Sequence, residues 1–532
     1  MKESPTNLLP AFELHDARGT GRAFPSTRAA LLCFVKEDCP TCGMTMPLIE
    51  AAHRTFGAAV DVWAIGQDAE GNAKLVERYA LTAPMLDDSA LQVSFKYDLD
   101  TVPTIILADA NGYEQRRFVG FGRDDWRDMN AELSRLSGKQ WPAVDWNSYP
   151  ESQPGCGSKS VEPGIAERLE ANARGDKLTA RRIELGDAED IFEFMFERGL
   201  TDGLPVVPPT PERVMWMLTG TRRDPRDVVA IVPPNLAPVT VEKVAVNAVM
   251  AGCKPEYLPV VIAALEAVCT DEFNIHGIMS TTWGATPVIV VNGPIRHRLD
   301  MNMGMMALGY GTRSNATIGR ALKLVLRNVG GARPGDIERS TLGAIGKFTT
   351  CFAEWEERSP WEPLHVERGF NKDENVVTVF GLEAGSRQIA DQTSRTARAL
   401  AGSLGMGLEA CWHPKQHNAG EILLVISPEH ADTLAREKWS KADVRARIQE
   451  VTSRPVRELM RDDSSGEGIP LSSLGTVTEE RLAENIAKFR KPEDINIIVA
   501  GGNAGKFSAV FAGWVSGPMG SSSVSRRIEE AT

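Results

Sequence analysis

Apolar and polar positions along the first quarter of the chain follow two periods, which is the pattern of alternating strands and helices. Residues 29–35 form an unbroken apolar run typical of a buried strand, and residues 44–56 repeat apolar side chains at helical spacing. The same reasoning predicts helices at 73–79 and 124–136, and strands at 60–65, 103–108 and 115–119. Residues 1–137 therefore predict an α/β domain, because alternating β and α elements pack as layers.

A second and larger α/β domain is predicted for residues 165–532. Its clearest helices are expected at 187–198, from 211 onward, at 241–251 and at 255–269. Its clearest strands, at 287–291, 422–426 and 495–500, each run into a polar or glycine-containing turn, where open α/β sheets place ligands. Between the two domains, residues 138–164 are rich in Pro, Gly, Ser and Trp and are predicted to be a linker.

Length and charge narrow the class of protein. A chain of 532 residues is too long for one ordinary core, and a composition of 42% hydrophobic and 24% charged residues is that of a globular protein. The net charge of −12 argues against nucleic acid or an anionic membrane as a partner. No apolar stretch approaches the roughly 20 residues that span a bilayer, and residues 1–6 do not begin a secretory signal. A homodimer is compatible with this composition but is not required by it.

The eight cysteines point to a reducing compartment. Six are scattered and two form a close pair, which differs from the even framework of a disulfide-stabilised secreted domain. We therefore expect a cytoplasmic protein.

The close pair, Cys39-Pro40-Thr41-Cys42, carries the strongest chemical signal. It lies between a predicted strand and a predicted helix, so the first thiol should lie at a helix N-terminus, where backbone N–H groups favour a thiolate. Two thiols at this spacing can cycle between dithiol and disulfide. The alternative is half of a zinc site, for which His53 is the only nearby histidine.

The order strand, C-P-x-C, helix, strand and then Thr101-Val102-Pro103-Thr104 resembles the thioredoxin fold, in its peroxiredoxin-like and thiol-disulfide reductase branch. The resemblance implies that Cys39 is the attacking thiol and Cys42 the resolving one. It also implies that Pro103 is cis, faces the cysteine pair and exposes the backbone of Val102 to a substrate or partner chain. The P-x-x-x-T/S-x-x-C pattern of peroxiredoxins is absent before Cys39, which makes peroxidase activity the weaker interpretation.

One further cysteine lies in the predicted linker. Cys156 stands between two glycines, so a mobile thiol there can resolve a mixed disulfide or carry electrons onward. The alternative is an inert exposed cysteine.

The second domain resembles a large bacterial family of unassigned activity that often occurs with a selenocysteine-containing UGSC motif. The resemblance covers most of residues 185–525 and is carried by residues 201–210, 240–253, 328–335 and 359–368. It implies thiol or selenol chemistry without naming a substrate or a catalytic residue.

Two clusters in the second domain contain metal-ligand residue types. Cys411, His413 and His417 have the residue types of a zinc or copper site if their loop folds round the ion, and a polar surface loop is the alternative. The methionine run at 301–306 supplies thioethers suited to Cu(I), or more simply an adaptable apolar wall.

Other candidates suit anion binding, proton transfer or thiol chemistry. Gly501, Gly502 and Lys506 follow a strand and can present N–H groups and an ammonium to a carboxylate or phosphate, with Arg526 completing the pocket. His276 and His365 are candidate general acids or bases, the latter because Glu362 and Glu367 flank it; structural histidines are the alternative. Cys253 and Cys351 are expected to be buried structural thiols; if one accepts electrons from Cys39, Cys351 is preferred.

The sequence favours a two-domain, thiol-dependent oxidoreductase with a redox-active Cys39–Cys42 disulfide. Its dithiol would serve the larger domain, which would bind and reduce or cleave a small organic molecule, and an external thiol would return the electrons. One alternative is a metal-dependent lyase or hydrolase with ligands Cys411, His413 and His417. The other is a non-enzymatic metal-handling protein that uses thiols and methionines.

Overall fold

The computed structural model describes residues 7–141, 143–162, 165–166, 169, 173, 178–183, 185–186, 190–517 and 520–529. The chain forms two compact units, Met1–Arg182 and Ile183–Thr532. Within the described ranges, no helix is both long and apolar enough to cross a membrane. Residues 1–6, on which the expectation of no secretory signal depends, lie outside those ranges.

The first unit contains eleven strands and four helices among its described residues. The strands are β1 Phe12–His15, β2 Gly21–Phe24, β3 Ala30–Val35, β4 Asp61–Gly66, β5 Met85–Asp87, β6 Thr101–Val102, β7 Thr104–Ala108, β8 Glu114–Val119, β9 Phe121–Gly122, β10 Ser152–Gln153 and β11 Cys156–Gly157. The helices are α1 Pro40–Phe56, α2 Ala69–Tyr79, α3 Gln92–Lys96 and α4 Arg123–Ser137.

A five-stranded sheet in the order β5-β4-β3-β7-β8 forms the centre of the first unit. Strand β3 pairs in parallel with β4 and antiparallel with β7, so the cysteine pair that follows β3 lies beside the segment that precedes β7. All six residues of β3 are buried, as the apolar run predicts. The predicted strands and helices of this unit are present within a few residues of their expected ends, and β1, β2, β5 and α3 add to them.

The predicted linker is not a free connection. Its residues 152–153 and 156–157 form two short strands on the first unit, where β10 pairs with β9 and β11 pairs with β6, both antiparallel. Further along, Ser158 Oγ accepts a hydrogen bond of 2.7 Å from Gln67 Nε2, and Trp141 packs at 5.5 Å from Phe56. The linker was predicted from its Pro, Gly, Ser and Trp residues. In the structure, the segment that contains these residues packs against the first unit.

The second unit contains the remaining elements. Its strands are β12 Val228–Val232, β13 Ala237–Thr240, β14 Ala285–Asn292, β15 Cys351–Ala353, β16 Val376–Glu383, β17 Arg387–Ala390, β18 Ile422–Ile426, β19 Arg454–Pro455, β20 Asn485–Ile486, β21 Ile495–Val499, β22 Phe507–Ala512 and β23 Val524–Arg527. Its described helices are α5 Ile191–Glu197, α6 Pro211–Leu218, α7 Val241–Ala251, α8 Leu258–Val268, α9 Ile275–Ser280, α10 Ile295–Arg298, α11 Arg313–Asn328, α12 Leu364–Glu367, α13 Ala397–Leu408, α14 Pro428–Arg436, α15 Lys441–Thr452, α16 Val456–Leu459 and α17 Glu479–Ala483.

Two four-stranded sheets, β15-β14-β16-β23 and β17-β22-β18-β21, build the core of the second unit. One apolar cluster joins them, with Val290 and Phe380 from the first sheet and Leu423 and Phe511 from the second. Helices α8 and α11 pack against the first sheet, α7 packs on α8 and α11, and α13, α14 and α15 pack beside the second sheet. The second unit is thus a four-layer α/β sandwich, an arrangement that the three predicted strands alone did not specify.

The helix predicted at 187–198 is observed as α5, Ile191–Glu197. Asp190 caps it, because its carboxylate accepts hydrogen bonds from the N–H groups of Phe192 and Glu193. The prediction's first three residues, 187–189, lie outside the described residues.

Candidate active site

The N-terminus of α1 holds the cysteine pair. Cys39 is the N-cap residue, Pro40 is the first residue of the helix, and the N–H of Cys42 lies 3.4 Å from Cys39 Sγ. Proline suits this position because its missing N–H is not needed in the first turn. Cys42 Sγ in turn accepts a hydrogen bond of 3.4 Å from the N–H of Lys36, at the end of β3. The expected position of Cys39 at a helix N-terminus is confirmed.

The residues before β7 face the cysteine pair. The Val102–Pro103 peptide bond is cis, as the thioredoxin resemblance implies, and the carbonyl oxygen of Val102 lies 3.5 Å from Cys39 Sγ. The backbone of Val102 is not exposed to a partner chain, however. It pairs with Cys156 of its own chain in the β6–β11 ladder.

Cys156 lies opposite Val102, whose carbonyl oxygen is 3.5 Å from Cys39 Sγ, and the Cys39 and Cys156 thiols shift each other's pKa. Three thiols therefore meet at one place, two from the helix and one from the predicted linker. All eight cysteines are free thiols in this structure. Cys39 is almost completely covered, with 1% of its surface exposed, and Cys156 is partly exposed.

The electrostatics of the three thiols differ. The hydrogen bond from the Cys42 thiol, helped by one from Cys156, lowers the pKa of Cys39 to about 5 even though burial acts in the opposite direction. Burial, with the hydrogen bond to Cys39 and its negative charge, strongly raises the pKa of Cys42. The hydrogen bond to Cys39 also raises the pKa of Cys156. At neutral pH the site thus holds one thiolate, Cys39, and two thiols that donate to it.

The N-terminal sequence agrees with this geometry. Residues 5–113 match the AhpC/TSA family model. The match covers about a fifth of the chain, so it describes the first unit alone. The first unit therefore contains a thioredoxin-like domain that matches the AhpC/TSA model, and the mixed α/β fold class is confirmed. No curated protein matches the chain.

Solved thioredoxin-like structures resemble about a quarter of the chain. The thioredoxin domain of a thiol-disulfide oxidoreductase from Bacteroides vulgatus is 18% identical, with 24% of this chain and 97% of that chain aligned and a TM-score of 0.23. StoA from Bacillus subtilis is 18% identical over 24% of this chain and 99% of its own, with a TM-score of 0.22. A thiol:disulfide interchange protein from Bacteroides sp. is 18% identical over 26% and 93%, with a TM-score of 0.23. The UGSC-type resemblance of residues 185–525 stays a prediction.

The loop predicted to bind a metal is built around a lysine. Lys488 Nζ donates hydrogen bonds to the carbonyl oxygens of Glu409, His413 and Gln416, at 3.1, 2.8 and 2.9 Å. Cys411 is buried in the apolar core of the second unit, and burial raises the pKa of its thiol to about 12. The prediction of a metal site at Cys411, His413 and His417 is therefore wrong in geometry.

The two histidines of this loop have other partners. His413 Nδ1 accepts a hydrogen bond from the N–H of Lys415, and His417 Nδ1 lies 3.0 Å from the carbonyl oxygen of Ile486. Among all described residues, no group of three or more His, Cys, Asp or Glu side chains has an arrangement suited to a metal ion. Among the described residues, Cys39 and Cys42 therefore have no third His, Cys, Asp or Glu side chain placed to complete a zinc site.

The methionine run does not form a thioether cluster. Met301 is 4% exposed, whereas Met305 and Met306 are 79% and 55% exposed, so their side chains have different environments. Met303 Sδ accepts a hydrogen bond of 3.1 Å from Arg296 Nη1. The alternative of an apolar wall fits Met306, which lines a cavity with Gly501 and Gly502.

The four residues predicted to bind an anion do not all meet. Gly501 and Gly502 line the same cavity, but Lys506 Nζ lies 3.9 Å from Glu429 Oε1 and donates to the Gln392 carbonyl. Arg526 lies on β23 of the other sheet, where it pairs with Val377. The Lys506 ammonium, which was expected to bind an anion together with the glycine turn, thus lies beside the Glu429 carboxylate instead.

The remaining candidates in the second unit lie apart from one another. His276 is exposed on α9, and Cys351 is buried on β15, where burial raises the pKa of its thiol. His365 is fully buried; its Nδ1 lies 4.0 Å from Glu356 Oε1 and its Nε2 lies 3.2 Å from the Lys372 carbonyl. The nearest carboxylate is thus Glu356, not the flanking Glu362 or Glu367 expected from the sequence.

A cavity that sequence reasoning missed lies beside α11 in the second unit. It has a volume of about 190 Å³ and a largely apolar lining that includes Lys323, Arg327, Lys347 and Glu338. Lys323 Nζ contacts Thr286 Oγ1, and burial lowers the pKa of this lysine to about 7. Arg327 Nε has no hydrogen-bond partner in the part of the chain that the structure describes. Only apolar spacing marks α11 in the sequence, so no motif pointed to this cavity.

Proposed function

We propose that the protein is a thiol-dependent oxidoreductase in which Cys39 attacks the sulfur of an external disulfide and the protein's dithiol supplies two electrons. The observation that carries the proposal is the position of Cys39 at the N-terminus of α1, 3.5 Å from the carbonyl oxygen of Val102 at the cis Val102–Pro103 bond, where the hydrogen bond from Cys42 lowers its pKa to about 5. The thiolate is the form of cysteine that reacts with a disulfide, and it is the dominant form of Cys39 at neutral pH.

The step is balanced by the protein's own thiols. Cys39 Sγ forms a bond to one sulfur of the external disulfide, and the other sulfur leaves as a thiolate. A second protein thiol then gives its proton to water and attacks Cys39 Sγ. The Cys39–substrate bond breaks, the remaining half of the substrate leaves as a thiolate, and a protein disulfide closes. By the thioredoxin resemblance, Cys42 is that second thiol. An external thiol restores the dithiol for the next turnover.

The larger unit is proposed to bind the small organic molecule that this dithiol reduces or cleaves. Its candidate cavity combines an apolar wall with Lys323, Arg327 and Lys347, and Lys347 already pairs with Glu338 at 2.8 Å. The unpartnered Arg327 Nε and the amine of Lys323 favour a small organic anion, such as a carboxylate with an apolar body.

Oxidised glutathione is a suitable probe of the redox step. Reduced wild-type protein should release two glutathione thiols per chain, and Cys39→Ser should release none. Cys269→Ser is the matched control, because this thiol lies in the second unit and burial raises its pKa to about 12. Equal release by wild type and Cys39→Ser would contradict the proposal.

A further inference from the structure

We propose that Cys156 is a third redox cysteine, carried on a strand that covers Cys39 and then resolves its mixed disulfides. The inference rests on the proposed function, since it requires Cys39 to attack an external disulfide. It differs from the thioredoxin-type scheme in the identity of the second thiol.

The strand that carries Cys156 fits its place closely. β11 pairs antiparallel with β6, so Cys156 faces Val102, the residue before the cis proline. A Cβ at position 155 would lie 2.5 Å from the Val102 carbonyl oxygen and 2.5 Å from Thr101 Cγ2. Only glycine permits this approach of the two backbones, and the approach brings the next residue to Cys39.

Contacts on both sides of Cys156 hold the strand. Before it, Thr41 Oγ1 donates a hydrogen bond of 2.8 Å to the Pro154 carbonyl, which ties the strand to the turn that carries the cysteine pair. After it, the N–H of Ser158 donates to the Asp100 carbonyl at 2.9 Å. These contacts keep the thiol near Cys39 while β11 is paired with β6.

Cys156 is also better suited than Cys42 to resolve a mixed disulfide. A resolving thiol must lose its proton before it attacks. Burial is the largest cause of the raised pKa of Cys42 and persists after Cys39 has lost its charge. The main cause of the raised pKa of Cys156 is its hydrogen bond to Cys39, and this cause disappears once Cys39 is bound in a disulfide.

The reaction proceeds in two exchanges. When β11 moves off Val102, the Cys39 thiolate attacks an external disulfide, forms a mixed disulfide and releases one substrate thiolate. When β11 returns, Cys156 gives its proton to water and attacks Cys39 Sγ. The Cys39–substrate bond breaks, the second substrate thiolate leaves, and a Cys39–Cys156 disulfide remains. The external disulfide gains two electrons, and Cys39 and Cys156 lose them.

The first test follows the glutathione adduct of Cys39 by acid quench, alkylation and mass spectrometry of the full chain. We expect Cys42→Ser to form a Cys39–Cys156 disulfide and to clear the adduct at nearly the wild-type rate. Loss of Cys156 in Cys156→Ser should slow the clearance roughly tenfold or more. The double variant Cys42→Ser/Cys156→Ser should retain the adduct.

The second test changes the strand without changing a cysteine. Gly155→Ala should push β11 off Val102, so iodoacetamide should alkylate Cys39 faster while the glutathione adduct clears more slowly. Gly157→Ala is the matched control, because a Cβ at position 157 would meet no heavy atom within 4 Å. Because general destabilisation of the fold also exposes Cys39, equal melting temperatures of wild type, Gly155→Ala and Gly157→Ala are required before the two rates are compared.

The outcomes separate this inference from the proposed function. If the double variant forms no adduct with oxidised glutathione, Cys39 is not the attacking thiol and both proposals fail. If the adduct forms but clears normally in Cys156→Ser and slowly in Cys42→Ser, the resolving thiol is Cys42 and only this inference fails. Equal alkylation rates in wild type and Gly155→Ala would overturn the covering role of β11.

Discussion

The most direct test of the site is to remove the thiol that stabilises the Cys39 thiolate. The hydrogen bond from Cys42 is the largest cause of the low pKa of Cys39. A hydrogen bond to a charged group contributes about 1.5–3 kcal/mol, and one pKa unit corresponds to about 1.36 kcal/mol. Cys42→Ala should therefore raise the pKa of Cys39 by about one to two units, from about 5 to about 6–7.

The change is large enough to measure in the ionised fraction. At pH 6 a thiol of pKa about 5 is roughly nine-tenths ionised, whereas one of pKa 6–7 is between roughly a tenth and a half ionised. The ultraviolet absorbance of the thiolate, followed against pH in the reduced full chain, reports this fraction. The other seven cysteines do not interfere, because their pKa values are all raised.

Cys42→Ser is the control for this prediction. A hydroxyl keeps a donor at the same position, so Cys39 should titrate within about half a unit of its wild-type pKa. A Cys42→Ala protein that titrates at the wild-type pH would refute the reasoning, and would mean that the helix terminus and Cys156 maintain the thiolate without Cys42.

Three further predictions concern stability and binding. The pKa of Cys39 is lower in the folded chain than in the unfolded chain, so ionisation of this thiol stabilises the reduced fold at pH values above the pKa of the unfolded thiol. This stabilisation disappears as the pH falls towards about 5. The difference in free energy of unfolding between wild type and Cys39→Ser should therefore shrink from pH 9 to pH 5 in denaturant titrations; a constant difference would contradict it. Lys488→Met leaves the Glu409, His413 and Gln416 carbonyls without their donor, so the free energy of unfolding should fall by about 1–3 kcal/mol, while exposed Lys372→Met should change little. Benzoate, a carboxylate with an apolar body, is a probe of the cavity beside α11 that Lys323 lines. It should raise the melting temperature of wild type and Lys372→Met but not of Lys323→Met. Stabilisation of all three proteins, or of none, would exclude the cavity beside α11 as the anion site.

Local pattern was sufficient for the parts of the site that neighbouring residues build. The apolar run of β3, the C-P-x-C that follows it and the apolar spacing of α1 together place Cys39 at a helix N-terminus, as the structure confirms. Pro103 could be placed through the thioredoxin resemblance. These features depend on a few consecutive residues, whose periodicity and turn chemistry are visible in a single sequence.

Contacts between distant residues could not be predicted in this way. Gly155 and Cys156 were assigned to a linker because of their composition, yet the same glycine allows a close backbone approach to Val102. The metal prediction failed for a similar reason. Cys411, His413 and His417 have the residue types of a metal site, but the cation at the centre of their loop is Lys488, far along the chain. A list of ligand types does not show what occupies the space between them.

The pairing of β11 with Val102 also decides which molecules compete for the active site. A free polypeptide that pairs with β6 must first displace β11, which belongs to the protein itself. The effective concentration of such a tethered segment is of the order of millimolar for short tethers. Polypeptides present at lower concentrations will rarely replace β11 on β6. A small disulfide needs only a brief opening of β11 and no strand pairing. If the two proposals above hold, we therefore expect the β6–β11 pairing to favour small disulfides over protein disulfides as substrates.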